Sequence, residues 1–244
     1  MKNKTHAADA VQNSKRKNFL QGAHDGLPIA FGYLPVSFSF GLLASAGGLP
    51  VWVSLMISMT SLTSAGQFAG LGVMTAAGSF AELAVGQFII NIRYMLMSLA
   101  LSQKLERMSV FKRMAVAFGI TDEIFAVAAT KPGEIGYWYM SGLIAAPYIG
   151  WALGTLLGAT VSSILPEILS SAMGVTLYAM FIAIFLPAMK KNHSVVIAVS
   201  LAAVLSTAFT YLIPSLSSGW SMIIAAVASA AITAALPRNK EETA

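Results

Sequence analysis

Eight apolar runs follow one another between residues 27 and 236: 27–46, 51–77, 80–102, 114–130, 137–165, 168–189, 194–213 and 219–236. A helix that spans a bilayer needs about 20 predominantly apolar residues, and in lipid its backbone polar groups have to be bonded within the segment. A chain built from roughly seven to eight such stretches reads as an all-α, polytopic integral membrane protein. Composition agrees: 57% of the residues are hydrophobic and 10% charged, against roughly 25% charged in soluble domains. Mean hydropathy is +0.73. Water-soluble enzymes, disordered chains and disulfide scaffolds are excluded on this basis. With no cysteine, so are thiol catalysis and Cys-ligated metal.

Three regions are expected. Residues 1–26 form a polar N-terminal tail and, from Asn18 to Gly26, an amphipathic approach; 27–236 form one transmembrane domain; 237–244 form a C-terminal tail. The first 17 residues carry five Lys/Arg and one Asp. They lack the apolar core and small-residue cleavage site of a signal peptide, so they read as an unordered cytoplasmic tail. The net charge of +5 is spread between apolar runs rather than gathered in one patch. It reads as an orientation signal, and no nucleic-acid partner is expected.

Two runs, 51–77 and 137–165, are 27 and 29 residues long, too long for one straight crossing. Each carries a candidate helix break: Ser64-Ala65-Gly66-Gln67 in the first, Pro147 followed by Gly150 in the second. Broken membrane helices are tolerated where the freed backbone faces protein or a wet cavity, so such breaks point to a site.

The basic residues support this reading. They collect at the N-terminus, in 103–113, at Lys190-Lys191 and at Arg238/Lys240. The positive-inside rule places all four clusters, and both termini, in the cytoplasm. Three apolar runs separate the first two clusters, and three separate the next two. An odd count cannot return the chain to the same side. Treating each long run as a re-entrant pair of half-helices repairs both counts, and yields an internal repeat of 27–102 on 115–189, of 76 and 75 residues. The rival repair is an inverted repeat with 103–113 outside.

Few ionisable groups lie within the runs. Asp122 and Glu123 sit in the middle of 114–130, and Arg93, with Asn91, sits midway along 80–102. A charge at such depth costs about 2.5–3.5 kcal/mol on the insertion scale and persists with a partner or a cavity. Arg93 and the two acids are therefore an expected pair, serving either a pathway or the mere joining of two helices. Alternatively 114–130, short for a crossing, is not a full span, and Asp122 and Glu123 sit near a surface. Gln67 follows the first break, where a half-helix terminus offers free backbone groups to a ligand. Ser54, Ser58, Ser61 and Ser64 share one face of a continuous helix there. Gly150, Gly154 and Gly158 form a GxxxGxxxG ridge suited to close packing. Pro28 and Pro35 read as kinks. No metal-binding His spacing, HExxH or GxSxG is present, so neither metal nor catalytic residue is expected, and no cofactor.

The stretches GLPIAFGYLPVSFSFGLLA (26–44), SLTSAGQFAGLGVM (61–74), NIRYMLMSLALSQKL (91–105) and Thr121-Asp122-Glu123 resemble the AzlC family, as does PYIGWALGTLLGA (147–159). The resemblance implies the large subunit of a branched-chain amino acid exporter in the cytoplasmic membrane. Its cargo would be valine, leucine, isoleucine and related apolar amino acids, methionine among them. A small AzlD-type membrane subunit would be its partner. The expectation is thus a secondary transporter, not an enzyme. The alternative is a channel-like or scaffold membrane protein whose buried ions serve packing only. No GxxxxGK[ST] motif is present to drive transport by ATP.

Overall fold

The computed structural model describes residues 2–162, 182, 186, 189–190 and 192–236. Apart from three isolated positions, the run 168–189 lies outside the described residues, as does the tail 237–244. Nine helices are seen among the described residues and no strand. They are α1 (Lys2–Ala46), α2 (Val51–Thr60), α3 (Ser64–Thr75), α4 (Phe80–Ser102), α5 (Val110–Phe118), α6 (Asp122–Thr130), α7 (Tyr137–Val161), α8 (His193–Leu212) and α9 (Ser218–Ala235). Among the described residues, four helices are long and apolar enough to cross a membrane: α1 from Gln12, α4, α7 and α8. The protein is a polytopic all-α membrane protein.

The chain divides into two compact units, Met1–Gln67 with Asn91–Ser171 and Phe68–Ile90 with Ala172–Ala244. In the first unit, α1 and α7 pack side by side in parallel. Gly22 and Gly26 sit against Tyr139 and Leu143, Gly150 against Ala30, Gly154 against Leu34 and Ser37, and Gly41 against Thr155 and Ala159. A Cβ at Gly142, Gly154 or Gly158 would run into the α1 backbone. The glycine ridge therefore does what its spacing suggests, letting two backbones meet.

That contact explains the first correction. Pro147 and Gly150 do not break a helix: α7 runs on from Tyr137 to Val161 with Pro147 inside it and buried. A proline removes one intrahelical bond, and here the flanking turns are clamped along α1. Pro28 and Pro35 lie inside α1 in the same way. The unordered tail is corrected too. Helix α1 begins at Lys2; neither Gly nor Pro occurs before Gly22 to break it, and Lys and Ala, good helix formers, are frequent there.

The second broken stretch is 110–130 instead. Expected as one span over 114–130, it consists of α5, a break at 119–121, and α6. Gly119 closes α5 at a point where Ile144 of α7 fills the space a Cβ would need. Both outer ends of the pair lie at one end of the unit. Glu106 N–H donates to Ile135 at 3.1 Å and Ile135 N–H to Lys104 at 2.9 Å, so the chain leaving α6 lies beside the chain entering α5. Asn18, Arg107 and Trp138 line one cleft at that same end. The stretch is thus a helical hairpin that enters and leaves on one side, and the 103–113 segment shares a side with the start of α1. Of the two runs expected as re-entrant pairs, 137–165 is one continuous helix and 51–77 is broken as expected, while 114–130, expected as a span, folds back on itself. Ile120, Ile124 and Ala128 of this hairpin are buried with Ile29, Leu101 and Leu143 in the core of the unit.

The first break is present, three residues earlier than its expected place. Helices α2 and α3 are separated by 61–63, and Ser64, Ala65, Gly66 and Gln67 form the first turn of α3. The proposed repeat of 27–102 on 115–189 is corrected accordingly: the break falls in the second run of one copy and the first run of the other. The element order instead repeats as broken pair then long helix, 51–102 and 110–161, with Thr63 and Thr121 in matching positions. In the second unit, α8 and α9 pack together. Glu82 is buried in the first turn of α4 and accepts a 2.8 Å bond from Ser217.

Candidate functional site

Each break ends in a threonine that caps the half-helix after it. Thr63 Oγ1 accepts from Gly66 N–H at 3.2 Å, and Thr121 Oγ1 accepts from Ile124 N–H at 3.3 Å. Their carbonyls take the next orphan amides, from Gln67 at 2.9 Å and Phe125 at 2.8 Å. Both caps are buried. This is the usual way to satisfy a helix start away from water.

The side-chain amide of Gln67 meets the carbonyl of Ser61, which follows α2, and at 3.5 Å adds a second donor to Ile57 O, already bonded by the Ser61 N–H at 2.9 Å. Its oxygen lies 3.5 Å from Ser58 Oγ, which in turn lies 2.7 Å from Thr155 Oγ1 on α7. Gln67 is buried, so the structure places it as the closure of its own break rather than as an open ligand position. Ser54 and Ser58 share a buried face of α2. The break removes Ser61 and Ser64 from that face.

The second break reaches outward. Asp122 and Glu123 stand in the first turn of α6, where the helix dipole favours negative charge. Asp122 Oδ2 lies 2.9 Å from Arg93 Nη2 and accepts from the Tyr94 hydroxyl at 3.5 Å. Arg93 lies over the Tyr94 ring at 5.1 Å and donates to its hydroxyl at 3.3 Å. Glu123 does not join Arg93. It accepts from the Tyr33 hydroxyl, whose oxygen lies 2.7 Å from Thr121 Oγ1. The two acids thus diverge, one toward α4 and the other toward α1, as neighbouring helix positions about 100° apart must. Asn91 lies on α4, half-buried, two residues before Arg93.

Tyr94 stands between the two breaks, its hydroxyl near the Thr63 side chain as well as Asp122. The beginnings of α3 and α6 are therefore brought to one cluster, with a cation, two carboxylates and two phenols between them. Trp151 of α7 packs edge-on against Tyr33 at 5.1 Å, and its buried indole N–H has no partner among the described residues. Asp122 and Arg93 keep 41% and 45% of their side-chain surface. A ligand could reach this pair, unlike Gln67.

Reading the sequence alone missed Tyr33, Tyr94, Thr63, Thr121 and Trp151. One signal was legible: Thr121 followed by two acids is a helix-start signature, which argues against an uninterrupted span. The tyrosines carry no local mark, since an aromatic residue in an apolar run reads as packing. Among the described residues, no group of three His, Asp or Glu could hold a metal ion.

Half-helix termini meeting a charged cluster inside a helical bundle define a membrane protein of the transporter type. The chain belongs to the AzlC family: the AzlC protein family matches residues 28–165. It is 29% identical over 204 residues to the inner membrane protein YgaZ of Escherichia coli, covering 80% of this chain and 83% of that one. It is 32% identical over 182 residues to an uncharacterized membrane protein of Archaeoglobus fulgidus, covering 74% and 80%. A membrane protein of Helicobacter pylori strain J99 is 26% identical over 184 residues, covering 72% and 79%. No solved structure matches the chain.

Proposed function

We propose that this protein is a secondary transporter that exports branched-chain and related apolar amino acids across the cytoplasmic membrane, and that it is not an enzyme. The observation that carries the reading is the meeting of two half-helix starts around Arg93, Asp122, Tyr33 and Glu123. A zwitterion needs a cation or helix start for its carboxylate and an acid for its ammonium. Arg93 serves the former; Asp122 or Glu123 serves the latter. Tyr33 and Tyr94 hold the acids in place until a substrate ammonium competes for them. The partial exposure of the Arg93–Asp122 pair supports this reading over a bridge that only joins helices. Family membership supports the cargo class and a small AzlD-type subunit as partner. Both termini are placed in the cytoplasm by the charge rule.

The test is flux in vesicles containing the purified chain, with and without a co-expressed small subunit. A carrier shows saturable leucine or valine flux and counterflow, diminished by Asp122→Asn at unchanged protein level. Absence of flux with both subunits present would leave the scaffold reading standing.

A further inference from the structure

The end of the first unit that holds the start of α1 also carries a cleft that the proposed transport site does not use. Asn18, Arg107, Lys112, Tyr137 and Trp138 line it, with Glu106 on one wall. Lys112 Nζ lies 5.1 Å above the Tyr137 ring, and Lys15 Nζ lies 6.0 Å above the Trp138 ring. Among the described residues none of Lys15, Arg107 and Lys112 has an acid within ion-pair distance; the pairs there are His24–Asp25 and Arg93–Asp122. Two cations and one acid line the cleft, and Lys15 adds a third cation at its rim.

We propose that this cleft binds the phosphate head group of an anionic phospholipid. Three observations converge on that occupant. Lys112 and Lys15 are held against aromatic faces, which orients them without neutralising them. The aromatic pair stands at Tyr137 and Trp138, where α7 begins its apolar run, and tryptophan and tyrosine belong at head-group level. The residues come from three separate segments: α1, the 103–109 connection with the first turn of α5, and the start of α7. Basic pockets formed in this way between membrane helices suit lipid head groups. A bound lipid would also tie the loop entering the α5–α6 hairpin to α1.

The purified full chain in neutral detergent tests this, melted with added phosphatidylglycerol, phosphatidylcholine or inorganic phosphate, while native mass spectrometry counts retained lipids. Phosphatidylglycerol is expected to raise Tm by several degrees and to be retained, phosphatidylcholine and phosphate to do neither. Arg107→Gln/Lys112→Gln is expected to lose most of the selective shift and retention. Lys15→Gln, which leaves the loop untouched, should lower retention even if the double variant does not fold. Equal shifts with both lipids, or retention unchanged in the variants, would overturn the proposal. A shift with inorganic phosphate as large as with phosphatidylglycerol would overturn the lipid and leave a soluble anion site.

Discussion

The two breaks share a plan and differ in what completes them. Each separates two short helices by three residues and ends in a capping threonine. The 61–63 break is closed by its own chain, with the Gln67 amide on the carbonyls of Ser61 and Ile57. The 119–121 break is followed by two carboxylates that need other helices: α4 for Asp122, α1 for Glu123. The neutral, buried break is completed largely by its own segment. The charged one depends on partners from other helices, which under the proposed function a substrate would replace. The same backbone device therefore serves as a structural joint in one place and as a candidate site in the other.

The largest effects are expected at the charged break. Asp122→Asn or Arg93→Ala should lower export at least about tenfold, ~1.4 kcal/mol of lost transition-state stabilisation, with protein level measured in parallel. Should Arg93→Gln/Asp122→Asn recover both level and flux, the pair only joins helices and the contrast between the breaks collapses. Chemical labelling in this Cys-free chain sharpens the same contrast. Asp122→Cys should react with small aqueous thiol reagents and be protected by leucine, while Thr63→Cys, at a buried position, should stay inert. Fast labelling at both positions would mean that the first break is open too.

At the neutral break the loss should appear in stability. Gln67→Leu leaves the Ser61 carbonyl without its donor, at about 1–3 kcal/mol for an unsatisfied buried group. A lower Tm with unchanged substrate KM is the expected result; a raised KM with unchanged Tm would place Gln67 in the site. The smallest effects belong to the caps. Thr63→Ala and Thr121→Ala should each cost about 1 kcal/mol of stability. Thr121→Ala should in addition reduce flux, because Thr121 also holds the Tyr33 hydroxyl beside Glu123. Equal flux in the two variants would separate the cap from the site.

Much of the architecture was local and so legible in the sequence. Apolar runs of bilayer length become helices because lipid leaves their backbone no other partner. Gly150, Gly154 and Gly158 recur on one face, and that alone marks a line of close contact. Arg93 was matched with the acids at 122 and 123 because an intramembrane charge requires a counter-charge and few were available. That Asp122 rather than Glu123 takes the arginine was not legible, since it depends on the direction in which α6 begins.

What only the tertiary structure decided is where the helices break. Pro147 is a stronger local breaker than anything between 114 and 130, yet α7 stays whole and 119–121 opens. The side chains of one segment do not carry the reason. The α1 backbone lies along the glycines of α7 and holds the turns around Pro147, while Ile144 of α7 occupies the space beside Gly119. Sequence determined which stretches are helical, through the hydropathy and bonding needs of each stretch by itself. The location of the breaks, and with it the meeting of Thr63, Tyr94 and Asp122, depended on which surfaces the packed helices left for one another.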